Sequence, residues 1–208
     1  MRIHYGCELS IVVDWRTAAT CLVDIHPGCR HNIISEDVGD SSSRLPFVVE
    51  ADVFGNLMRR FIVQEGESTI ALDGIIEDAG VPDPRDAFAI GLPVAELPSG
   101  VLTYLNGSRY CETDKLGAIA WQTFGHLQPG TAMVEAICTF THERLTFDYQ
   151  QARSTRTALE AYQERVGVCR DFTHLAITLC RCMNVPVRYV NGYLGDIGVP
   201  PDPAPMDL

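Results

Sequence analysis

Several features are missing from this 208-residue sequence. No window offers the ~18 uninterrupted apolar residues that a membrane-spanning helix needs. The first residues carry one arginine and no long apolar run behind it, so we do not expect a signal peptide. Internal repeats and low-complexity segments are also missing. We therefore expect a cytoplasmic protein without a membrane partner, and its length allows one large domain or two small ones.

Positive charge is scarce as well. Sixteen basic residues stand against 27 acidic ones, which gives a formal net charge of -11. Nucleic-acid binding depends on clustered Lys and Arg that neutralise phosphates. The composition therefore argues against a nucleic-acid partner. An acidic surface favours solubility but does not name a substrate.

Cysteine is the residue type that needs explanation, because the chain has eight of them. Without an export signal they predict reduced thiols, most of them small core residues, and not a disulfide framework. Cys21, His26, Cys29 and His31 have side chains that could bind zinc. Their spacing matches none of the common structural zinc sites, so we predict no metal and no cofactor. A zinc-stabilised scaffold remains a lesser alternative.

Residues 1–105 have the character of a β-rich domain. Short alternating or β-branched runs recur between turn signals, at 4–13, 20–25, 47–51, 59–64 and 68–76. A surface loop is predicted at 37–43, and the segment 80–84 should break regular structure. Strands at this spacing predict an antiparallel β-sandwich-like domain.

Residues 106–208 begin with helices. Helical spacing marks 113–124 and 130–145, and a third helix should start near residue 154 or 155. After a fourth helix, a strand is predicted at 187–193 and an extended proline-rich loop at 199–205. The fold class is therefore α+β, with a domain boundary near residue 105.

The fourth helix carries the clearest chemical signal. Its apolar residues form one stripe with the spacing i, i+3, i+4, i+7, i+8 and i+11, namely Phe172, Leu175, Ala176, Leu179, Cys180 and Met183. Gly167 permits a sharp turn into this helix, so Cys169 falls in the first helical turn. Unpaired backbone N–H groups there favour a thiolate and could hold an oxyanion. A buried, unreactive cysteine is the alternative explanation.

The neighbours of Cys169 allow simpler explanations. Asp171 lies in a first helical turn, where its charge complements the helix dipole. Arg170 could bind a substrate or pair at the surface, and we keep Arg170 and Asp171 as candidate binding residues. His174 lies on the same rigid helix as Cys169 and is not expected to point at the sulfur. We predict that it is a packing or surface residue.

Strings around this helix closely resemble those of bacterial transglutaminase-like proteins, a papain-related class of cysteine hydrolases. They are residues 157–160, 165–175 and 185–194, with further matches at 108–115 and 134–143. The β-rich first part is similar to a domain that often precedes this core. The resemblance implies that residues 106–208 form the helical front half of a papain-like fold. It also implies that Cys169 is the nucleophile of a Cys-His-Asp triad.

The family places the His on a strand soon after a loop like 195–206, and the Asp on the next strand. Neither motif is found before Leu208. We therefore expect a truncated, inactive fragment that self-associates through the exposed sheet edge of the truncated second domain. The intact parent is expected to carry out acyl transfer on a peptide or other amide, as a peptidase or amidase more than as a transglutaminase. The alternative is a non-catalytic binding module that retains the fold.

Overall fold

The computed structural model describes residues 1–37 and 46–192. They divide into two compact units, Met1–Asp83 and Pro84–Asn191. Antiparallel sheets come first and helices follow, which confirms the α+β prediction. Among the described residues, no helix combines the length and apolar character needed to cross a membrane. Residues 38–43 of the predicted loop, Tyr193 of the predicted strand and the loop at 199–205 lie outside the described residues.

The first unit contains six described strands. In chain order they are β1 (Arg2–Val13), β2 (Thr17–Cys21), β3 (Ile33–Asp37), β4 (Phe47–Ala51), β5 (Leu57–Val63) and β6 (Gly66–Glu77). They form two antiparallel sheets with the orders β1-β6-β3 and β2-β5-β4. Strands β1, β4, β5 and β6 lie on predicted runs, whereas β3 was not predicted. The run predicted at 20–25 overlaps β2 only at residues 20 and 21, and residues 22–25 contain no strand. The structure thus contains two antiparallel sheets, as a β-sandwich requires. Face-to-face packing of these two sheets stays a prediction.

Alternating side chains form the interior of this unit. Phe61 and Val63 are buried on β5, and Leu72 is buried on β6. A buried ion pair accompanies them, because the guanidinium of Arg59 donates to both carboxylate oxygens of Asp24 at 2.7 and 2.6 Å. Such a pair is tolerated inside a protein because each charge satisfies the other. All five residues of β4, by contrast, are exposed.

The second unit is built on four helices among the described residues. They are α1 (Thr113–Phe124), α2 (Thr131–Arg144), α3 (Ala158–Glu164) and α4 (Cys169–Cys182). Two short parallel strands, β7 (Thr146–Phe147) and β8 (Val166–Gly167), join the end of α2 to the start of α4. One-turn and two-turn 3₁₀ helices occupy Val94–Glu96, Ser99–Leu105 and Tyr149–Gln151. The predicted helix at 113–124 has the same bounds as α1.

Helix α4 packs against each of the other three helices. Its predicted stripe faces the core, since Leu175, Leu179, Cys180 and Met183 are buried while Phe172 and Ala176 pack against them. Burying one such aliphatic side chain contributes roughly 1.5–3 kcal/mol. The helix is therefore firmly anchored along its length. That anchoring fixes the position of Cys169 at its first residue.

Two segments differ from the prediction. The boundary between the two units lies between Asp83 and Pro84, whereas the sequence predicts a domain boundary near residue 105. Residues 89–91 belong with the helices because Gly91 N–H donates to Pro129 O at 2.8 Å and Thr131 N–H donates to Ala89 O at 3.0 Å. Irregular chain of this kind has no periodicity that would assign it to either side.

The strand predicted from residue 187 was wrong for residues 187–192, which contain no strand. The side chain of Arg181 donates to Val187 O from Nε at 3.1 Å and from Nη2 at 2.8 Å. Val187 N–H donates to Tyr104 O at 3.3 Å. The backbone groups of Val187 that would pair in a sheet are thus already occupied.

Candidate active site

Cys169 is the first residue of α4 and its side chain is exposed. The preceding residue, Val168, is extended, with φ -108° and ψ 176°, so the chain turns from β8 directly into the helix. The β7–β8 pairing holds this approach, because Asp148 N–H donates to Gly167 O at 3.1 Å. This placement excludes a buried cysteine at residue 169, and the reactivity of its thiol stays a prediction.

Two backbone N–H groups are available beside the thiol. Asp171 N–H and Phe172 N–H donate to Val168 O at 2.8 and 3.2 Å. Within the described part of the chain, the N–H groups of Cys169 and Arg170 have no acceptor. Unpaired N–H groups at a helix N-terminus stabilise negative charge. The first turn therefore offers donors to an oxyanion that forms next to Cys169.

Asp171 lies inside the protein and not at the surface. Its Oδ2 accepts hydrogen bonds from Val168 N–H at 3.0 Å and from Arg156 Nη1 at 2.9 Å. The side chains of Arg156 and Asp171 are 2% and 0% exposed. A buried carboxylate needs this kind of compensation. The placement favours a role for Asp171 in positioning the first turn of α4 over direct contact with a substrate.

Gly167 permits the close approach of Asp171 to the chain. A Cβ atom at residue 167 would lie 2.6 Å from Asp171 Cβ and 2.9 Å from Oδ2. Real Cβ atoms do not make contacts that short. The requirement for glycine here comes from lack of space and not from the sharp turn that the sequence predicts, because Gly167 lies in β8 without a positive φ.

Arg156 is the residue of this site that sequence reasoning missed. Its Nε donates to Glu164 Oε2 at 3.0 Å, and Arg153 reaches the other oxygen of Glu164 at 3.0 Å. Burial opposes the ionised form of Glu164, but hydrogen bonds from Arg156 and Arg153 lower the pKa of its carboxyl. The start of α3 is fixed by a capping box between Thr157 and Glu160. Helix α3 and the first turn of α4 are thus joined through buried charge.

Arg170 extends along the surface next to the thiol. Its guanidinium donates to the Arg153 carbonyl and, at 3.3 Å, to Asp171 Oδ1, and its side chain is 27% exposed. Tyr189 lies in the same area. Burial raises the pKa of Tyr189, with further increases from the nearby Cys169 and Asp171 and a decrease from Arg170. Arg170 therefore lies at the edge of the site with its guanidinium already engaged by two acceptors.

His174 is enclosed by two tyrosine rings. It stacks on Tyr110 with a centroid distance of 5.4 Å, and the ring of Tyr189 lies 5.7 Å away. Burial and then the charge of Arg170 lower the pKa of His174, while Asp171 opposes the shift. Among the described residues, no histidine hydrogen-bonds the sulfur of Cys169. The predicted packing role for His174 agrees with this position.

The cysteine and histidine side chains of the segment 21–31 do not lie close enough together to share one metal ion. His26 Nδ1 accepts a hydrogen bond from Gly28 N–H at 3.1 Å, so this nitrogen is already in use. Cys29 and His31 are exposed on a 3₁₀ helix, while Cys21 belongs to β2. Within residues 1–37 and 46–192, no three metal-binding side chains come together as a metal ion would need. The zinc alternative has no support from the structure.

Comparison with known proteins gives three findings. Residues 118–200, which include Cys169, match the model of the Transglutaminase-like superfamily. An uncharacterized protein of Mycobacterium leprae is 47% identical over 38 residues, and the match spans 18% of this chain and 14% of that protein. A crystal structure from Cytophaga hutchinsonii, provisionally described as a cysteine protease, superposes with a TM-score of 0.71. It is 22% identical and covers 88% of this chain and 67% of its own, which shows the fold. The family resemblance seen in the sequence is confirmed.

Proposed function

We propose that this chain, which carries a domain of the transglutaminase-like superfamily, supplies Cys169 as the nucleophile for thiol-dependent acyl transfer on amide bonds. The observation that carries the proposal is an exposed thiol at the first residue of a well-packed helix, beside two N–H groups that have no acceptor among the described residues. A non-catalytic binding module that retains the fold would keep the helix start but would not require the exposed thiol.

The chemistry follows from the geometry. The sulfur of Cys169 attacks the amide carbonyl, and the N–H groups of Cys169 and Arg170 stabilise the oxyanion. The C–N bond then breaks, the amine leaves with a proton, and a thioester forms. Water attacks the thioester to release the acid and the thiol. The proposal assigns proton transfer to the histidine that the family places C-terminal to this segment, and Asp171 and Arg156 hold the nucleophile in position.

Hydrolysis is the preferred outcome over cross-linking, so the proposed class is a peptidase or amidase. This preference rests on the family alone. We extend the proposal to a cytoplasmic location. All eight cysteines, each in the described part of the chain, are free, which favours a reducing compartment.

Site-resolved alkylation tests the nucleophile. Cys29 and Cys138 are exposed and serve as internal controls on the same molecule. We expect iodoacetamide to modify Cys169 about tenfold faster than either control at neutral pH, because the N–H groups of the first helical turn stabilise negative charge that develops next to the attacking sulfur. Rates are read from the masses of the modified peptides.

A second measurement looks for the covalent intermediate. An activated ester such as p-nitrophenyl acetate should leave an acetyl group on Cys169, and Cys169→Ala should abolish this adduct. If Cys169 reacts no faster than Cys138 and takes up no acyl group, the nucleophile proposal fails and a binding module becomes the better explanation.

A further inference from the structure

Three aromatic side chains form a surface cluster beside Cys169, here called the aromatic patch: Phe147, Tyr149 and Phe172. The ring of Phe147 meets that of Tyr149 edge to face at a centroid distance of 4.8 Å. It lies 6.3 Å from the ring of Phe172. Phe147 is 47% exposed and Tyr149 is 54% exposed. Exposed apolar groups that cluster in this way often mark a binding surface.

The patch adjoins the nucleophile through two elements. Phe147 pairs with Gly167 in the parallel β7–β8 register, and Gly167 comes two residues before Cys169. Phe172 follows Cys169 by three residues on α4, so the two side chains are neighbours on that helix. The short strand pairing and the helix thus place Phe147 and Phe172 close to Cys169, and Tyr149 joins them through its contact with Phe147.

The members of the patch are held differently. Phe172 is half-buried and packs against the core of the second unit, so its position is fixed by packing. The side chains of Phe147 and Tyr149 are exposed to solvent over about half of their surface. Core packing accounts for Phe172 but not for the other two rings. A second apolar or aromatic group laid on them would gain both area burial and ring–ring contact.

Charge restricts what the patch can accept. It contains no basic group, and Asp148 stands between Phe147 and Tyr149 in the chain. The carboxylate of Asp148 is held locally, because Oδ1 accepts a hydrogen bond from Gln150 N–H at 2.9 Å. An acidic substrate side chain on the rings would therefore meet the like charge of Asp148, since the guanidinium of Arg170 at the edge of the site already donates to the Arg153 carbonyl and to Asp171. An uncharged ring meets no such penalty.

We propose that the aromatic patch is a specificity subsite that accepts an aromatic or large apolar side chain of the amide substrate next to the bond under attack. This inference rests on the proposed role of Cys169 as nucleophile. It narrows the substrate class to peptides or amides with such a side chain at that place, and it disfavours acidic ones.

The test uses alkylating probes that differ only in the group attached to the amide. They are iodoacetamide, N-(2-phenylethyl)iodoacetamide and N-(2-carboxyethyl)iodoacetamide. With each, the sulfur forms a bond to carbon, iodide leaves, and the thiol proton passes to buffer. The quantity measured is the rate with the substituted probe divided by the rate with iodoacetamide, at Cys169 and at Cys138 of the same full chain. Cys138 is exposed and provides the intrinsic ratio.

We expect the phenylethyl ratio at Cys169 to exceed that at Cys138 about fivefold, and the carboxyethyl ratio to fall below it. Phe147→Ala and Tyr149→Ala should each lower the phenylethyl ratio at Cys169 toward the value at Cys138. Trp121→Ala removes a ring that is also 54% exposed, on α1, and should leave the ratio unchanged. If Phe147→Ala does not fold, Tyr149→Ala and the more polar Tyr149→Ser, both at an exposed position, provide the test.

The outcomes separate the two proposals. Slow modification of Cys169 by iodoacetamide itself would refute the nucleophile and with it the subsite. Fast modification by iodoacetamide with equal ratios at Cys169 and Cys138 would overturn the aromatic subsite and leave the nucleophile standing. A ratio that drops as much in Trp121→Ala as in Phe147→Ala would also overturn the subsite.

Discussion

Asp171 holds its carboxylate where solvent does not reach it, and Arg156 compensates that charge. Two arginines bind Glu164 in the same network, but their surroundings differ. The side chain of Arg156 is 2% exposed, whereas that of Arg153 is 41% exposed. Removing one partner of a buried pair leaves an uncompensated charge, while an exposed pair is weakened by water and salt. This contrast provides a matched comparison within one cluster.

Arg156→Met should therefore lower the free energy of unfolding by about 3–5 kcal/mol. Arg153→Met should lower it far less, because water and salt weaken the exposed pairs that Arg153 makes. Urea denaturation at neutral pH measures both. Equal losses for the two variants would show that the Arg156–Asp171 pair does not anchor the first turn of α4.

At the scale of elements, the junction between β8 and α4 is tightly packed, because Asp171 lies directly against Gly167. Gly167 is buried there, and a methyl group on it would collide with Asp171. Gly117 lies in the middle of α1, and a Cβ atom there would meet nothing within 4 Å. A glycine inside a helix costs stability relative to alanine, so the two glycines have opposite expectations.

Gly167→Ala should destabilise the protein by roughly 1–3 kcal/mol, because Asp171 or the backbone has to shift to make room. Gly117→Ala should stabilise it by up to about 1 kcal/mol. Thermal and chemical unfolding of the two variants provides the comparison. Stabilisation by Gly167→Ala would mean that the close approach to Asp171 does not exist in solution.

Long periodic segments of this chain could be predicted from the sequence, and short paired ones could not. Helix α1 has the predicted bounds, and the stripe on α4 faces the core as expected. Strands β7 and β8 have two residues each, which is too short for any alternation to show. The segment from residue 187 has strand-like composition, but Arg181 takes up the carbonyl of Val187. Composition cannot reveal such a tertiary contact.

The position of Cys169 was also predictable, since a glycine followed by an amphipathic stripe places this residue in the first turn. Arg156 was not predictable in the same way, because patterns of hydrophobicity assign charged residues to the surface. The sequence also contains a local signal for the start of α3. Thr157 and Glu160 have the spacing of a capping box and mark the start of α3 at Ala158, later than the predicted start near residue 154.

For the whole molecule, the net charge opposes self-association, whereas an exposed strand edge favours it. The charge of -11 keeps copies of the chain apart. Strand β4, however, lies at the edge of its sheet with Phe47, Val48 and Val49 exposed. An exposed apolar edge strand favours pairing with another chain. Salt screens the repulsion without weakening the apolar contact, so it should shift the balance toward association.

The chain should therefore show a weight-average mass in sedimentation velocity that rises with protein and salt concentration. Val48→Lys should move it toward the monomer by placing a charge on the edge. Val53→Lys, at a 91% exposed turn position of the same unit, is the control and should have little effect. A wild-type chain that stays monomeric under all these conditions would refute self-association through β4.

The eight free thiols differ in how oxidants would affect them. Burial raises the pKa of Cys180 to about 12 and that of Cys182 to about 11, so both keep their protons. Peroxide acts on accessible thiolates, and the exposed Cys169 is open to it. Oxidative injury would then remove the proposed nucleophile while the packed interior stays intact. At the sulfenic stage that loss is reversible by a reductant, so activity and folding would respond to oxidants separately.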